Sequence, residues 1–261
     1  MQLIPNIEQC RAAVRARPAD PVARAQLAMA LGDSAEGSRV TAQARDLIAN
    51  SLRLGAIEIA RDAAQRLFEG FGDAASAVLF AEALLHGRDS AAAATLLERI
   101  VREHPDTPAP RVRLAALALV DGAPETALSW VEPVATVDPD TRIVYVQTLL
   151  ALGRHADAQD FATLSVGVHP ETAELFQLLG AAHLARAAHD EAIAAFSEAL
   201  RLNPDGPGVH YNLAIAFGLR GATPAALGVV DAGLERRAND PALVGLRDQL
   251  REQLLRWQDT H

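Results

Sequence analysis

Alanine and proline recur along this chain with a period close to 34 residues, and that period constrains the fold more than any other feature of the sequence. Ala60, Ala93, Ala127, Ala158, Ala192 and Ala226 follow one another at intervals of 33, 34, 31, 34 and 34 residues. Alanine is too common here for this spacing to carry the argument alone. Proline is the independent check: Pro105, Pro139, Pro170 and Pro204 each lie twelve residues after Ala93, Ala127, Ala158 and Ala192, in a chain with only 14 prolines among 261 residues. A repeat of this length marks an array of supersecondary units, each unable to bury its own apolar face and therefore dependent on its neighbours.

The content of one period identifies the unit. Ala173 to Pro204 reads as two amphipathic helices joined by a short turn, with small residues at Gly180, Ala192 and Ala199. Small residues where two helices face each other let the backbones approach, and large apolar residues one turn away fill the space beside them. Proline suits the exit because it cannot continue one helix and can occupy the first turn of the next. Composition agrees: 50% of residues are hydrophobic but only 4% aromatic, and alanine is the strongest helix former. A β-sandwich or barrel, which draws on β-branched and aromatic residues, is excluded. The pattern predicts an all-α chain of helix pairs, with turns near Gly55, Gly87, Gly122, Gly153, Ala187 and Gly221.

On these residues the chain resembles the tetratricopeptide repeat family, whose 34-residue unit carries a sparse pattern of small and large positions. The Ala173 repeat fills the family positions with Phe176, Leu179, Gly180, His183, Ala192, Phe196, Ala199 and Pro204, with His183 in place of the usual tyrosine. The repeat opening at Pro207 fills them with His210, Leu213, Ala214, Phe217, Ala226, Val230 and Gly233. Looser units begin at Ala74 and Pro108, a compressed one covers 139 to 172, and a degenerate one covers 41 to 73. The resemblance implies a right-handed α-solenoid of about six units over residues 41–240. Residues 1–40 are expected to form N-terminal helices, a degenerate or capping unit, with Asn6 to Arg17 and Pro21 to Leu31 helical and Gly32 to Ser38 a loop. Residues 241–261 are expected to form a capping helix. Its stripe of Leu243, Leu246, Leu250, Leu254 and Trp257 also suits a dimer seam, though under three heptads is short for a coiled coil.

Several function classes find no support in the sequence. A single cysteine, Cys10, excludes a disulfide framework or a cysteine-built metal site within one chain. Twenty-four basic residues, all arginine, against thirty-three acidic ones give a net charge of −9, so there is no broad cationic surface for nucleic acid. No apolar run approaches the roughly 20 residues of a membrane span, and the amino terminus lacks a secretory apolar core, which makes the cytoplasm the expected location. His155, His169, His183 and His189 lack the spacing of metal ligands. The acids of Asp157, Asp160, Asp190 and Glu191 sit where helices begin and are stabilised there. No phosphate loop, nucleophile elbow or paired-cysteine motif is present, and Cys10 has no histidine partner near it in sequence. The chain is therefore expected to be non-enzymatic and to need no cofactor or metal.

What remains is surface shape. In arrays of the family the first helices of successive units line a concave groove, reached from their second, fifth, ninth and twelfth positions. Transferred to this chain, these places imply Arg45, Glu82, Gln147, Gln177, Tyr211 and Asn212 as partner-binding residues. A row of Leu52, Leu85, Leu119, Leu150 and Leu184 is either exposed groove or inter-repeat core. Only Asn212 matches the lysines and asparagines with which chaperone-binding arrays clamp an acidic carboxyl terminus. Residues 73–206 hold 19 acids and 9 arginines, which favours a protein or peptide partner with a neutral-to-basic amphipathic segment. The leading expectation is a protein-interaction scaffold, and the resemblance further implies a bacterial array of the kind that serves envelope, secretion or organelle assembly. The alternatives are an accessory or substrate-recognition subunit of a separately encoded enzyme, and a scaffold that assembles with itself as a homo-oligomer.

Overall fold

The computed structural model describes the backbone of residues 6–206 and 208–260, and the side chains of these as far as residue 255. Pro207, expected to open the last repeat, and the side chain of Trp257, expected on the final apolar stripe, lie outside the described residues. Among the described residues every regular element is helical and there is no strand.

The chain forms two compact units, Met1–Ala123 and Pro124–His261. The first holds α1 (Ile7–Ala16), α2 (Pro21–Leu31), α3 (Ala35–Arg53), α4 (Ile57–Phe71), α5 (Ala74–His86), α6 (Ser90–Glu103) and α7 (Pro108–Val120). The second holds α8 (Pro124–Val131), α9 (Pro139–Ala151), α10 (His155–Val168), α11 (Ala173–Ala185), α12 (His189–Leu202), α13 (Val209–Leu219), α14 (Thr223–Arg236) and α15 (Pro241–Thr260). Within the first unit α3 touches α5 and α5 touches α7; within the second, α9 touches α11, α11 touches α13 and α13 touches α15. The first helices of successive pairs thus lie side by side, as in a helix-pair solenoid.

The small-residue positions do what their spacing requires. All six alanines of the period, Ala60, Ala93, Ala127, Ala158, Ala192 and Ala226, are fully buried. At Gly180 a Cβ would stand 2.7 Å from the Phe196 ring, so glycine there is the condition for a large aromatic residue to lie flat in the pair. Phe196 is itself only 1% exposed and shares a cluster with Ala192 of its own helix and Leu213 and Ala216 of α13. Truncating a ring held this way costs roughly 3–5 kcal/mol.

Turns repeat as faithfully as cores. One residue between the two helices of each pair is left-handed: Gly55, Arg88, Gly122, Gly153, Ala187 and Gly221, with φ from 59° to 85°. The next residue's N–H donates to the carbonyl five residues back, as in Ala56 to Ser51 at 2.9 Å, Arg154 to Leu149 at 2.9 Å and Ala222 to Phe217 at 2.9 Å. This closes the helix end with its last carbonyls satisfied. The turn expected at Gly87 is present, but the left-handed place is taken by Arg88, and Gly87 has φ −77°.

Two segments differ from the sequence reading. The loop expected over 32–38 ends at Ser34, because the Ser34 hydroxyl accepts the Gly37 N–H at 3.0 Å and starts α3. Gly37 serves close packing there, not flexibility: a Cβ would fall 1.9 Å from the Gly32 carbonyl oxygen. The other is α8, which stops after eight residues; Pro133 supplies no N–H, and Glu132–Val134 form a 3-10 turn instead.

The last helix, α15, starts from an Asp240 side chain that accepts the Ala242 N–H at 3.0 Å. Its Leu243, Leu246 and Leu250 are buried in one cluster with Ala214, Ala226, Val230 and Leu234 of α13 and α14.

Two stability measurements test this packing. Ala192→Leu should cost on the order of 1–3 kcal/mol by overpacking, seen as a lower midpoint in urea; an unchanged midpoint would mean that the pair is not closed at Ala192. Ala187→Gly should stabilise by about 0.5–1 kcal/mol by relieving left-handed strain, while Gly221→Ala should destabilise by about as much.

Candidate functional site

The residues expected to face a partner divide between the two units, and most of the polar ones in the first are engaged within the protein. Asp73 caps α5 by accepting the Ser76 N–H at 2.7 Å. The same carboxylate takes the Arg45 guanidinium at 2.7 Å, and Arg45 also donates to the Ser76 hydroxyl at 3.1 Å. Arg45 therefore ties α3 to α5. Glu82 on α5 is ion-paired with Arg113 on α7. Half-exposed pairs of this kind contribute about 0.2–1 kcal/mol each, and they hold adjacent first helices in register.

In the second unit the balance shifts. Gln147 on α9 donates to the Glu174 carboxylate on α11 at 3.3 Å, a long contact that leaves its carbonyl oxygen available. Gln177 and Asn212 are half-buried. Tyr211 is 36% exposed, and no side-chain hydrogen bond or ion pair within the described protein engages Gln177, Tyr211 or Asn212. The leucine row is mostly packing: Leu52 is buried in the core of the first unit, Leu150 and Leu184 pack half-buried against clusters of the second, and Leu85 and Leu119 are half-buried.

Two features of this face carry signals too weak to find in the sequence. The first is a cleft of about 230 Å³ between α13 and α15, lined by Ile215, Gly218, Leu219, Leu246, Leu250 and the amides of Gln249 and Gln253 among others. Leu219 is 58% exposed at its edge. The stripe on α15 accounts for the packed side of that helix, but only the structure shows that its Gln249 and Gln253 side turns toward α13. The second is the pair Asp140 and Glu174, one at the second position of α9 and one at the second position of α11. Read along the sequence they are ordinary acids of a helix start. In the structure neither has a cationic partner among the described residues, and although Glu174 is exposed as a residue, burial of its carboxyl, followed by the charge of Asp140, pushes its pKa upward.

Other titratable groups shift with burial. Burial holds His210 below its usual pKa, with Arg236 and then Arg237 adding to the effect and Asp205 opposing it. Burial likewise lowers His183, while Glu191 opposes and Arg186 assists. Cys10 is buried in the first unit, and that burial pushes its thiol pKa up, away from the thiolate that a reactive cysteine needs. Among the described residues no three His, Cys, Asp or Glu side chains are placed to hold a metal ion, and no helix is long and apolar enough to cross a membrane.

An array of helix–turn–helix repeats that presents the side chains of its first helices is the class this fold defines. Two stretches of the array match tetratricopeptide-repeat models: residues 180–221 match the family model described as TPR repeat, and residues 78–135 match that described as Tetratricopeptide repeat. Solved structures agree in fold. TTC0263, a thermophilic TPR protein of Thermus thermophilus, is 24% identical and aligns over 69% of this chain and 97% of its own with a TM-score of 0.57. A tetratricopeptide repeat protein from Parabacteroides merdae is 12% identical over 94% of this chain and 90% of its own, with a TM-score of 0.63. YrrB, described as a TPR protein with an unusual peptide-binding site, is 15% identical over 72% of this chain and 99% of its own, with a TM-score of 0.52. Comparison with curated proteins returns no match.

The buried His210 and the half-buried His183 set a pH dependence whose sign is fixed. Their pKa values are lowered on folding, so the native state favours the neutral ring; the stability this gives is complete above the unfolded value of about 6.5 and is lost as pH falls toward the folded values. Glu174, with its pKa raised, works in the opposite sense at lower pH. Thermal melts should therefore show Tm falling between neutral and mildly acidic pH, and His183→Gln with His210→Gln should flatten that slope.

Proposed function

We propose that this chain is a non-enzymatic protein-interaction scaffold that holds a partner segment against the face formed by α9, α11, α13 and α15. The observation that carries the reading is the set of Gln177, Tyr211 and Asn212 on α11 and α13, whose side chains the protein's own bonds do not consume, on the same first helices that supply one wall of the apolar α13–α15 cleft. Tyrosine combines a large contact area with a hydroxyl and is common among residues that dominate interfaces. Arg45 and Glu82, by contrast, are engaged in pairs between helices of the first unit, and in this reading they support the array instead of contacting the partner. That YrrB is described as having a peptide-binding site supports a peptide-like partner here.

In the same reading residues 1–40 and the helix α15 cap an array over 41–240, the protein is bacterial, and it works in the cytoplasm. Burial of Leu243, Leu246 and Leu250 against α13 and α14 favours the cap over a dimer seam for α15, since these three residues of the stripe that a seam would use are already covered.

Affinity capture followed by mass spectrometry should identify a partner, whose affinity is then measured against variants. Tyr211→Ala combined with Gln177→Ala should weaken binding by about 2 kcal/mol or more, the range of hot-spot residues. Retained affinity, with loss on mutating exposed residues of α10, α12 or α14, would remove the assignment. Light scattering after size exclusion should give a monomer mass; a larger mass that Leu255→Gln abolishes would favour self-assembly.

A further inference from the structure

The face of the second unit is not uniform. Of the charged residues between 124 and 206, twelve are acids and four are arginines, whereas residues 207–261 hold six of each. Most of that acidic excess sits on α8, α10, α12 and the loops; of the first helices, α9 carries Asp140 and Arg142, α11 carries Glu174, and α13 carries no acid or arginine. Arg142 donates to the Ser165 hydroxyl and the Thr136 carbonyl, whereas at this acidic end the Asp140 side chain forms no hydrogen bond or ion pair among the described residues and the Glu174 carboxylate has only the Gln147 amide. At the neutral end lies the cleft of Ile215, Leu219, Leu246 and Leu250.

Between these ends the face offers amides. Gln147, Gln177 and Asn212 come from three successive first helices, and Gln249 and Gln253 stand at the cleft. An amide side chain donates and accepts, which suits a backbone whose own N–H and C=O groups are unpaired. A helical partner satisfies its backbone internally and has no use for such a row; an extended one does.

Helix geometry sets the distance between the ends. Asp140 and Glu174 sit at the second positions of their helices and the cleft between the sixth and thirteenth, a mean offset of roughly 10 Å along the helix axes at 1.5 Å per residue. Two steps between neighbouring helices at 8–10 Å add roughly 18 Å sideways.

We propose that this face binds an extended basic segment, with a cationic side chain against Asp140 and Glu174 and an aliphatic or aromatic side chain about 20 Å away in the α13–α15 cleft. At about 3.3 Å per residue, about six residues separate the two anchors. The proposal rests on the reading that this face holds a partner and adds the chemistry of that partner. A carboxylate-terminated segment is disfavoured because it would meet Asp140 and Glu174 with like charge.

The test uses the full chain and fluorescein-labelled peptides in which an arginine pair and a leucine pair stand about six residues apart, beside versions with a glutamine or a glutamate pair in place of arginine. Fluorescence polarisation should show the arginine peptide binding at least about tenfold tighter than the glutamate peptide, with the difference shrinking at high salt. Asp140→Asn with Glu174→Gln, both exposed and so compatible with folding, should bring the arginine peptide to the affinity of the glutamine peptide. Leu219→Gln should weaken all three. Equal binding of the arginine and glutamate peptides, an unchanged preference in the double variant, or no binding of the arginine peptide would overturn the proposal. If Leu219→Gln still weakens binding in the first two cases, the groove reading survives its loss; if Leu219→Gln also has no effect, that reading falls with it. Where no peptide binds, the affinity of the captured partner for the Tyr211 and Gln177 variant decides the groove reading separately.

Discussion

The structure depends on how closely two helices can approach at one place in every repeat. Where Gly180 faces Phe196, a single added carbon would meet the ring at 2.7 Å, and the same close contact recurs where Gly233 meets Leu243 and His210 of neighbouring helices, at 2.8 and 2.9 Å. Each fully buried alanine of the period serves the same end. Because the second helix of one pair also packs on the first helix of the next, as α10 does on α11 and α12 on α13, tight closure of a pair fixes the placement of its neighbour. Stability in such an array is a sum of local terms, and no distant contact is needed to build the face on which α11 and α13 present Gln177 and Tyr211.

Much of this was legible because the repeat is written in residue types with one physical meaning each. Glycine and alanine mark close approach, proline marks an exit, and the 33- and 34-residue intervals put the turns in place before any coordinates. The exceptions are places where local chemistry outranks the pattern. Ser34 caps α3 four residues before the expected end of the loop, and Gly37, expected within that loop, is a close-packing residue of α3. Pro133 shortens α8, which the 31-residue interval between Ala127 and Ala158 hinted at without locating. Arg88 and Ala187 adopt a left-handed conformation that their residue types do not announce.

The candidate site was less legible for a different reason. A position on a helix says which way a side chain faces, but not whether another part of the protein already holds it. Arg45, Glu82 and Gln147 all sit where the family pattern points toward a partner, and all three are bonded to a neighbouring first helix. Asp140 and Glu174 look like routine helix-start acids until the two helices are laid side by side. The cleft between α13 and α15 needs residues about 30 apart in sequence, and only the packing of Leu246 and Leu250 shows which side of α15 remains open.

The account therefore turns on which face of the second unit a partner covers. Hydrogen–deuterium exchange on the full chain, with and without the captured partner, reads this directly. Slowed exchange concentrated in α11, α13 and α15, with α10, α12 and α14 unchanged, is the predicted result. Protection confined to α10, α12 and α14, with the helices that carry Gln177 and Tyr211 unaffected, would contradict it.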